Sequence, residues 1–264
     1  MRWHFDTISE LESHKASCNL HVYTLGQFVV HRDGLAIPEQ EWGREKTVQL
    51  FQFFVANLQR AAIHREQISN RIWEDDKAND FKVALHGINK ALEPNRPPRT
   101  PPTYLLRQGH SYQLDHQKVW IDTLALENFV AIANSADQNN AKVIKALQEA
   151  VSLYHGVFLP DRIYEDWSAE ERERIQVIVM GAYYYLAELQ LSINAMETIR
   201  LSQNALNIDP SWEDLYRLQM IAYIQIGNRP QAIKTYQKCK TVLDEDYGLE
   251  PLPKTSKLLS TIRS

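Results

Sequence analysis

The chain has 264 residues, 44% of them hydrophobic, and a formal net charge of −4. That length suits one large domain or two ordinary ones, and the apolar share excludes a wholly disordered chain. Cys18 and Cys239 lie far apart, outside any metal-ligand spacing, which points to a reduced compartment with both thiols packed as small apolar groups. The charged opening MRWHFDTISELESHK has no secretory apolar core, and no apolar run reaches about eighteen residues, so no membrane partner and a cytoplasmic location are expected.

The charge is graded along the chain. Residues 1–120 hold 15 Lys/Arg against 14 Asp/Glu, whereas residues 121–264 hold 14 against 19. Within 81–114, Lys82, Lys90, Arg96, Arg99 and Arg107 face Glu93 alone, a net +4. That basic segment is the one electrostatic hint of a polyanionic partner, and chance clustering on a solvated surface explains it as well.

Residues 1–17 are polar and fit a short helix or an arm. From Asn19 the pattern turns to period two, with Leu20, Val22 and Thr24 on one side and His21, Tyr23 and Leu25 on the other; Gly26 interrupts it before Phe28, Val29 and Val30. Asp33-Gly34 between apolar runs predicts a hairpin turn with positive φ at both positions, hence a short antiparallel sheet. Helical spacing follows. Val48, Leu50, Phe51, Phe54, Val55 and Leu58 form a wide apolar stripe, and Ile63, Ile68, Ile72 and Trp73 mark a second, shorter helix. After the acidic turn Glu74-Asp75-Asp76, Phe81, Leu85, Ile88 and Leu92 predict a third helix over 78–92. A proline-rich loop then leads to strands at Tyr104–Arg107 and Tyr112–Leu114, joined through Gln108-Gly109-His110. Three helices ending in a hairpin make the layout of a winged helix-turn-helix.

Beyond Ile121 every segment reads as helix, at 124–134, 140–154, 165–191, 195–207, 212–226, 229–243 and 253–262. Two stretches, ending IRLSQNALNIDP and AYIQIGNRPQAIKTYQKC, recur at about the tetratricopeptide period. Tyr223, Gly227, Ala232 and Tyr236 fit the aromatic, turn-glycine, small and aromatic positions of such a repeat. Ile193 and Thr198 depart from it in the first copy. The fold class is therefore mainly α, a winged helix-turn-helix followed by an all-α tetratricopeptide-like domain.

If the Phe81 stripe faces the core, Asn79, Lys82, Val83, His86 and Lys90 face outward, with Asn89 at the edge. Lysine suits phosphate or guanine, asparagine suits adenine, and an exposed valine suits a thymine methyl. The same pattern also describes an ordinary amphipathic helix. Arg107 and His110 at the hairpin tip suit a minor groove or a phosphate. Arg44 and Lys46 begin the first helix and Arg65 the second, where phosphates bind or where Glu45 and Glu66 take the charge. Gly87, inside the third helix, either permits close approach of a backbone or is a neutral surface position, and the second reading is preferred. Nine histidines form no metal-ligand pattern, and no phosphate loop or catalytic constellation occurs, so no cofactor, no metal and no enzymatic activity are expected.

The run LHVYTLGQFVVHRDGLAIPEQEWGREKTVQLFQFFV, with HREQISNRIWED and LLRQGHSYQLD, resembles the OmpR-type winged helix of the Streptomyces antibiotic regulatory proteins. Downstream, ALQEAVSLYHGVFLPD, YEDWSAEERERI, NIDPSWEDLYRLQMIAYIQIGNRPQAIKTYQKC and LDEDYGLEPLP are similar to the bacterial transcriptional activator domain. The resemblance spans about residues 19–262. It implies an N-terminal arm (1–18), a winged helix (19–117) and an activator domain (118–264). It also implies an activator that binds double-stranded promoter DNA, contacts RNA polymerase and uses its helical domain for homodimer or partner contacts, with no receiver or ATPase module expected in the few residues before the sheet. The third helix, ANDFKVALHGINKALEP, departs from the arginine-rich recognition helices of that family. The competing reading is a protein-interaction adaptor whose winged helix no longer binds DNA.

Overall fold

A computed structural model describes residues 3–58, 60–73, 78–135 and 140–263. The chain forms two compact units, Met1–Ile132 with Ser152–Ile175 and Ala133–Val151 with Gln176–Ser264. No helix among the described residues is long and apolar enough to cross a membrane.

The first unit opens with α1 (Ile8–Ser17), started by a Thr7/Glu10 capping box. Leu11 is buried, as is Trp3, whose indole N–H donates to the His116 carbonyl at 2.7 Å. Trp3 and Leu11 are thus the residues through which this segment packs. Next come β1 (Leu20–Tyr23), β2 (Val29–Arg32) and β3 (Leu35–Ala36). Asp33 and Gly34 both adopt positive φ, 52° and 83°, as the hairpin requires. α2 (Glu39–Trp42) and α3 (Glu45–Ala56) follow.

The winged-helix core is α3 with β4 (Ile63–His64), α4 (Arg65–Ile72), α5 (Ala78–Leu92), β5 (Leu105–Gln108) and β6 (Ser111–Leu114). β6 pairs with both β5 and β4, giving the sheet order β4-β6-β5. The acidic turn expected between α4 and α5 lies outside the described residues. α3 is buried on nearly every side from Thr47 to Ala56. Its two buried glutamines are satisfied: Gln49 donates to Glu165 at 2.8 Å, and Gln52 accepts from Arg162 at 2.6 Å.

β7 (Val119–Ile121) lies parallel to β1, completing a sheet of order β3-β2-β1-β7. α6 (Asp122–Ser135) begins directly after it. Asp122 is buried, and its carboxylate accepts from Thr24 N (2.6 Å), Thr24 Oγ1 (2.7 Å), Leu25 N (3.0 Å) and Thr123 N (2.8 Å). Burial pushes this carboxyl up while the four hydrogen bonds pull it back, and burial prevails. Phe158 bridges to Leu25, and Leu159 N donates to the Thr24 carbonyl at 2.9 Å. The first compact unit runs past residue 117 and takes in the later segment Ser152–Ile175.

The second unit holds most of α7 (Asn140–Ser152) and the later part of α8 (Asp166–Gln190). It continues with α9 (Ala195–Ile208), α10 (Glu213–Gln225), α11 (Arg229–Tyr247) and α12 (Pro253–Arg263). The repeat-like positions behave as helix stacking demands. Ala232 is fully buried in a cluster with Met220, Leu259 and Ile262, flanked by Tyr223 and Tyr236. In the first repeat, Thr198 is also fully buried and donates to the Ala187 carbonyl at 2.9 Å, while Ile193 stays exposed at the turn. The two departures from the pattern are therefore accommodated, one by a hydrogen bond and one by solvent.

Candidate nucleic-acid interface

α5 turns Phe81, Ala84, Ile88, Ala91 and Leu92 into the core and leaves Leu85 half-buried. Its opposite side presents Asn79, Lys82, Val83, His86 and Lys90 to solvent, Val83 at 46% exposure. None of the four polar residues has an ion pair or side-chain hydrogen bond among the described residues. Asp80, the sole acid of the helix, borders a cleft of about 300 Å³ with Arg44, Glu45 and Val83.

Several expected site residues are placed differently. Asn89 is only 9% exposed, so it belongs to the packed side of α5 and not to the outward face. The cause is the width of the buried stripe, which includes Ala84 and Ala91 as well as the large residues. Lys46 is exposed, yet its ammonium is engaged within the domain, donating to Gln49 Oε1 at 2.8 Å and to the Ile72 carbonyl at 2.7 Å. It ties the start of α3 to the end of α4, so its charge is taken by a helix C-terminus. Gly87 is no neutral surface position. A Cβ built there would lie 2.9 Å from both Thr47 Cγ2 and Thr47 Oγ1, which makes it the close-approach point of α5 on α3.

The hairpin turns at Gly109-His110, with both residues exposed. Arg107 is exposed but folded back: its Nε donates to the Gly109 carbonyl at 2.8 Å, and its guanidinium lies 5.9 Å from the Tyr112 ring centre. The His110 carbonyl accepts from Arg65 N at 2.9 Å, fixing the wing tip to the start of α4, where the Arg65 side chain is half-buried. Arg44 is exposed as the N-cap of α3, an end that has no side-chain cap. Arg44 and Arg65 have no side-chain partner among the described residues.

Three contributors escaped sequence reasoning. His64 caps α4 through Nδ1, accepting from Glu66 N at 3.3 Å. Arg32 donates to the Ala91 carbonyl near the end of α5 and to Glu41 at 2.8 Å. Arg71 adds an exposed cation on the last turn of α4. Only His64 carried a readable signal, since it directly precedes the helical pattern. Among the described residues no group of three His, Cys, Asp or Glu side chains could hold a metal ion.

The arrangement is a helix-turn-helix whose second helix carries a cationic outer face, framed by a hairpin and by the open N-terminus of α3. Residues 121–263, more than half of the chain, match the model of the bacterial transcriptional activator domain. The chain belongs to the bacterial transcriptional activator domain family. The winged helix ahead of that domain gives it the architecture of the Streptomyces antibiotic regulatory proteins. Among solved structures, Mycobacterium tuberculosis EmbR in complex with a low-affinity phosphopeptide is similar in fold, with a TM-score of 0.73 at 20% identity. That match covers 93% of this chain but 65% of EmbR, so the chain spans about two-thirds of that protein's length. No curated protein matches the sequence.

Proposed function

We propose that this activator-domain protein regulates transcription by binding double-stranded promoter DNA through α5 and the β5–β6 hairpin. The observation that carries the reading is the outward face of α5, where Lys82, His86 and Lys90 are exposed and the helix's one carboxylate, Asp80, is half-buried. In this reading α5 enters the major groove, His110 and Arg107 approach the backbone or minor groove, and Arg44 with the α3 N-terminal amides takes a phosphate. Arg65 supports the wing through its backbone. Lys46 and Asn89 drop out of the contact set, the first as a strap between α3 and α4 and the second as a buried residue. The helical domain would contact RNA polymerase or a second copy of the chain, as stacked helix pairs do with protein partners.

The adaptor reading has one observation in its favour: Lys46 and Arg107, though exposed, donate to backbone carbonyls of their own domain, which leaves the face modestly basic. Mobility shifts of duplex promoter DNA at low and moderate salt separate the two. A retarded complex that Lys82→Ala with Lys90→Ala weakens supports the DNA reading. Free DNA at low salt, or a complex indifferent to both substitutions, supports the adaptor.

A further inference from the structure

Lys82, His86 and Lys90 are spaced four residues apart, so each step advances about 6 Å along α5 and turns only about 40°. They form a single file of side chains that can donate, two ammoniums with an imidazole between them, a neutral imidazole offering one N–H beside one acceptor nitrogen. All three are exposed without partners among the described residues. Val83 lies beside the file, and Asn79 precedes it by one turn. Of the nearest described acids, Asp80 is half-buried at a cleft it shares with Arg44 and Val83, and Glu93 accepts from Thr103 N at 3.0 Å and pairs with Arg96.

We propose that this file reads a guanine-bearing strand, an inference that rests on the DNA reading above. Lys82 and His86 donate to two guanines, Val83 packs on a neighbouring thymine methyl, Asn79 pairs with an adenine, and Lys90 holds a phosphate. The reason is chemical. An ammonium only donates, and guanine alone presents two adjacent major-groove acceptors, N7 and O6. Adenine sets a donor beside its N7, and cytosine presents a donor amine, so both oppose an ammonium. With base pairs about 3.4 Å apart along each strand, a step of about 6 Å places the two guanines within two base pairs of each other. The helix's one carboxylate, Asp80, is half-buried at the flank of the file and is not a member of it.

Selection from a randomised duplex library by the full chain, by Lys82→Ala and by Val83→Ser tests this. All substituted side chains are exposed, and circular dichroism checks that each variant keeps its fold. The wild type should enrich two guanines within two base pairs on one strand, with a thymine beside them. Lys82→Ala should lower the preference at one guanine about tenfold and leave the other positions intact. Replacing the thymine by uracil, which lacks the methyl, should weaken the wild type several-fold and leave Val83→Ser unchanged. An enriched site without the guanines overturns the proposal, as does a Lys82→Ala variant that weakens all sequences equally. Either result leaves DNA binding itself standing, whereas a wild type that retains no duplex at low salt removes both.

Discussion

Gly87 of α5 and Thr47 of α3 meet so closely that a Cβ on Gly87 would lie 2.9 Å from two atoms of the threonine side chain. Thr47 is itself buried, so it has little room to yield. This contact fixes the roll of α5 against α3 and therefore which residues face outward. In an unconstrained helix, Gly→Ala stabilises by about 1 kcal/mol. Here overpacking, about 1–3 kcal/mol, opposes that gain. Gly87→Ala should therefore lower stability by about 1 kcal/mol in urea denaturation and weaken DNA binding. Adding Thr47→Ala removes both clashing atoms and should restore each. A Gly87→Ala variant more stable than wild type would refute this role.

The docking of α1 should depend on pH. His14 lies edge-on to Trp3 with ring centres 4.4 Å apart and sits near Phe5, and burial lowers its pKa below the ordinary 6.5. The folded state thus binds a proton less tightly than the unfolded chain. His14 contributes stability that is present above the ordinary value and lost as pH falls through the lowered one. Protection of the α1 amides, taken relative to their intrinsic exchange rates, should fall as pH drops below about 6.5, and His14→Phe should flatten that change. Equal protection of α1 across this range would contradict the assignment.

Glu213 connects α10 to α12. It accepts from Leu252 N at 2.9 Å and from Thr255 Oγ1, and it pairs with the buried Arg217 at 3.4 Å. Asp214 also pairs with Arg217 and retains it when Glu213 is removed. Glu213→Ala should cost about 2–4 kcal/mol, because a buried cation loses one of its two carboxylates. Protection should fall first in α12. Unchanged exchange there would show that the apolar contacts of Leu259 and Ile262 hold the helix alone.

Both thiols should be inert in the folded chain. Burial, with Glu213 nearby, pushes Cys239 up to about 12, and burial also raises Cys18. A thiol reagent at about pH 8 should find almost no thiolate until denaturant is added, when both cysteines react. One fast-reacting thiol in the native protein would be inconsistent with this packing.

Much of this is legible in the sequence alone. The stripe Phe81–Leu92 fixes α5 at Ala78–Leu92, and Asp33-Gly34 predicts its turn, because both signals are local. Ala232 and Gly227 likewise mark the repeat through their own size and backbone freedom. The unread features are non-local. β7 pairs with β1 across most of the first unit, and its Val119-Trp120-Ile121 is buried throughout, so it lacks the alternation that betrays a strand. The engagement of the Lys46 ammonium depends on where the α4 carbonyls end, and the close approach at Gly87 depends on Thr47 from another helix. Asn89 is hidden because two alanines widen the buried side of α5, and alanine barely registers in an apolar count.

The salt dependence of DNA affinity tests the central claim most directly. Fluorescence anisotropy with a selected duplex, between about 50 and about 200 mM salt, should show affinity falling steeply as counterions are displaced. Arg44→Ala with Lys90→Ala, which removes two assigned phosphate contacts, should reduce the slope of log affinity against log salt by about 2. An unchanged slope in that variant, or a wild-type affinity indifferent to salt, would contradict DNA binding through this face.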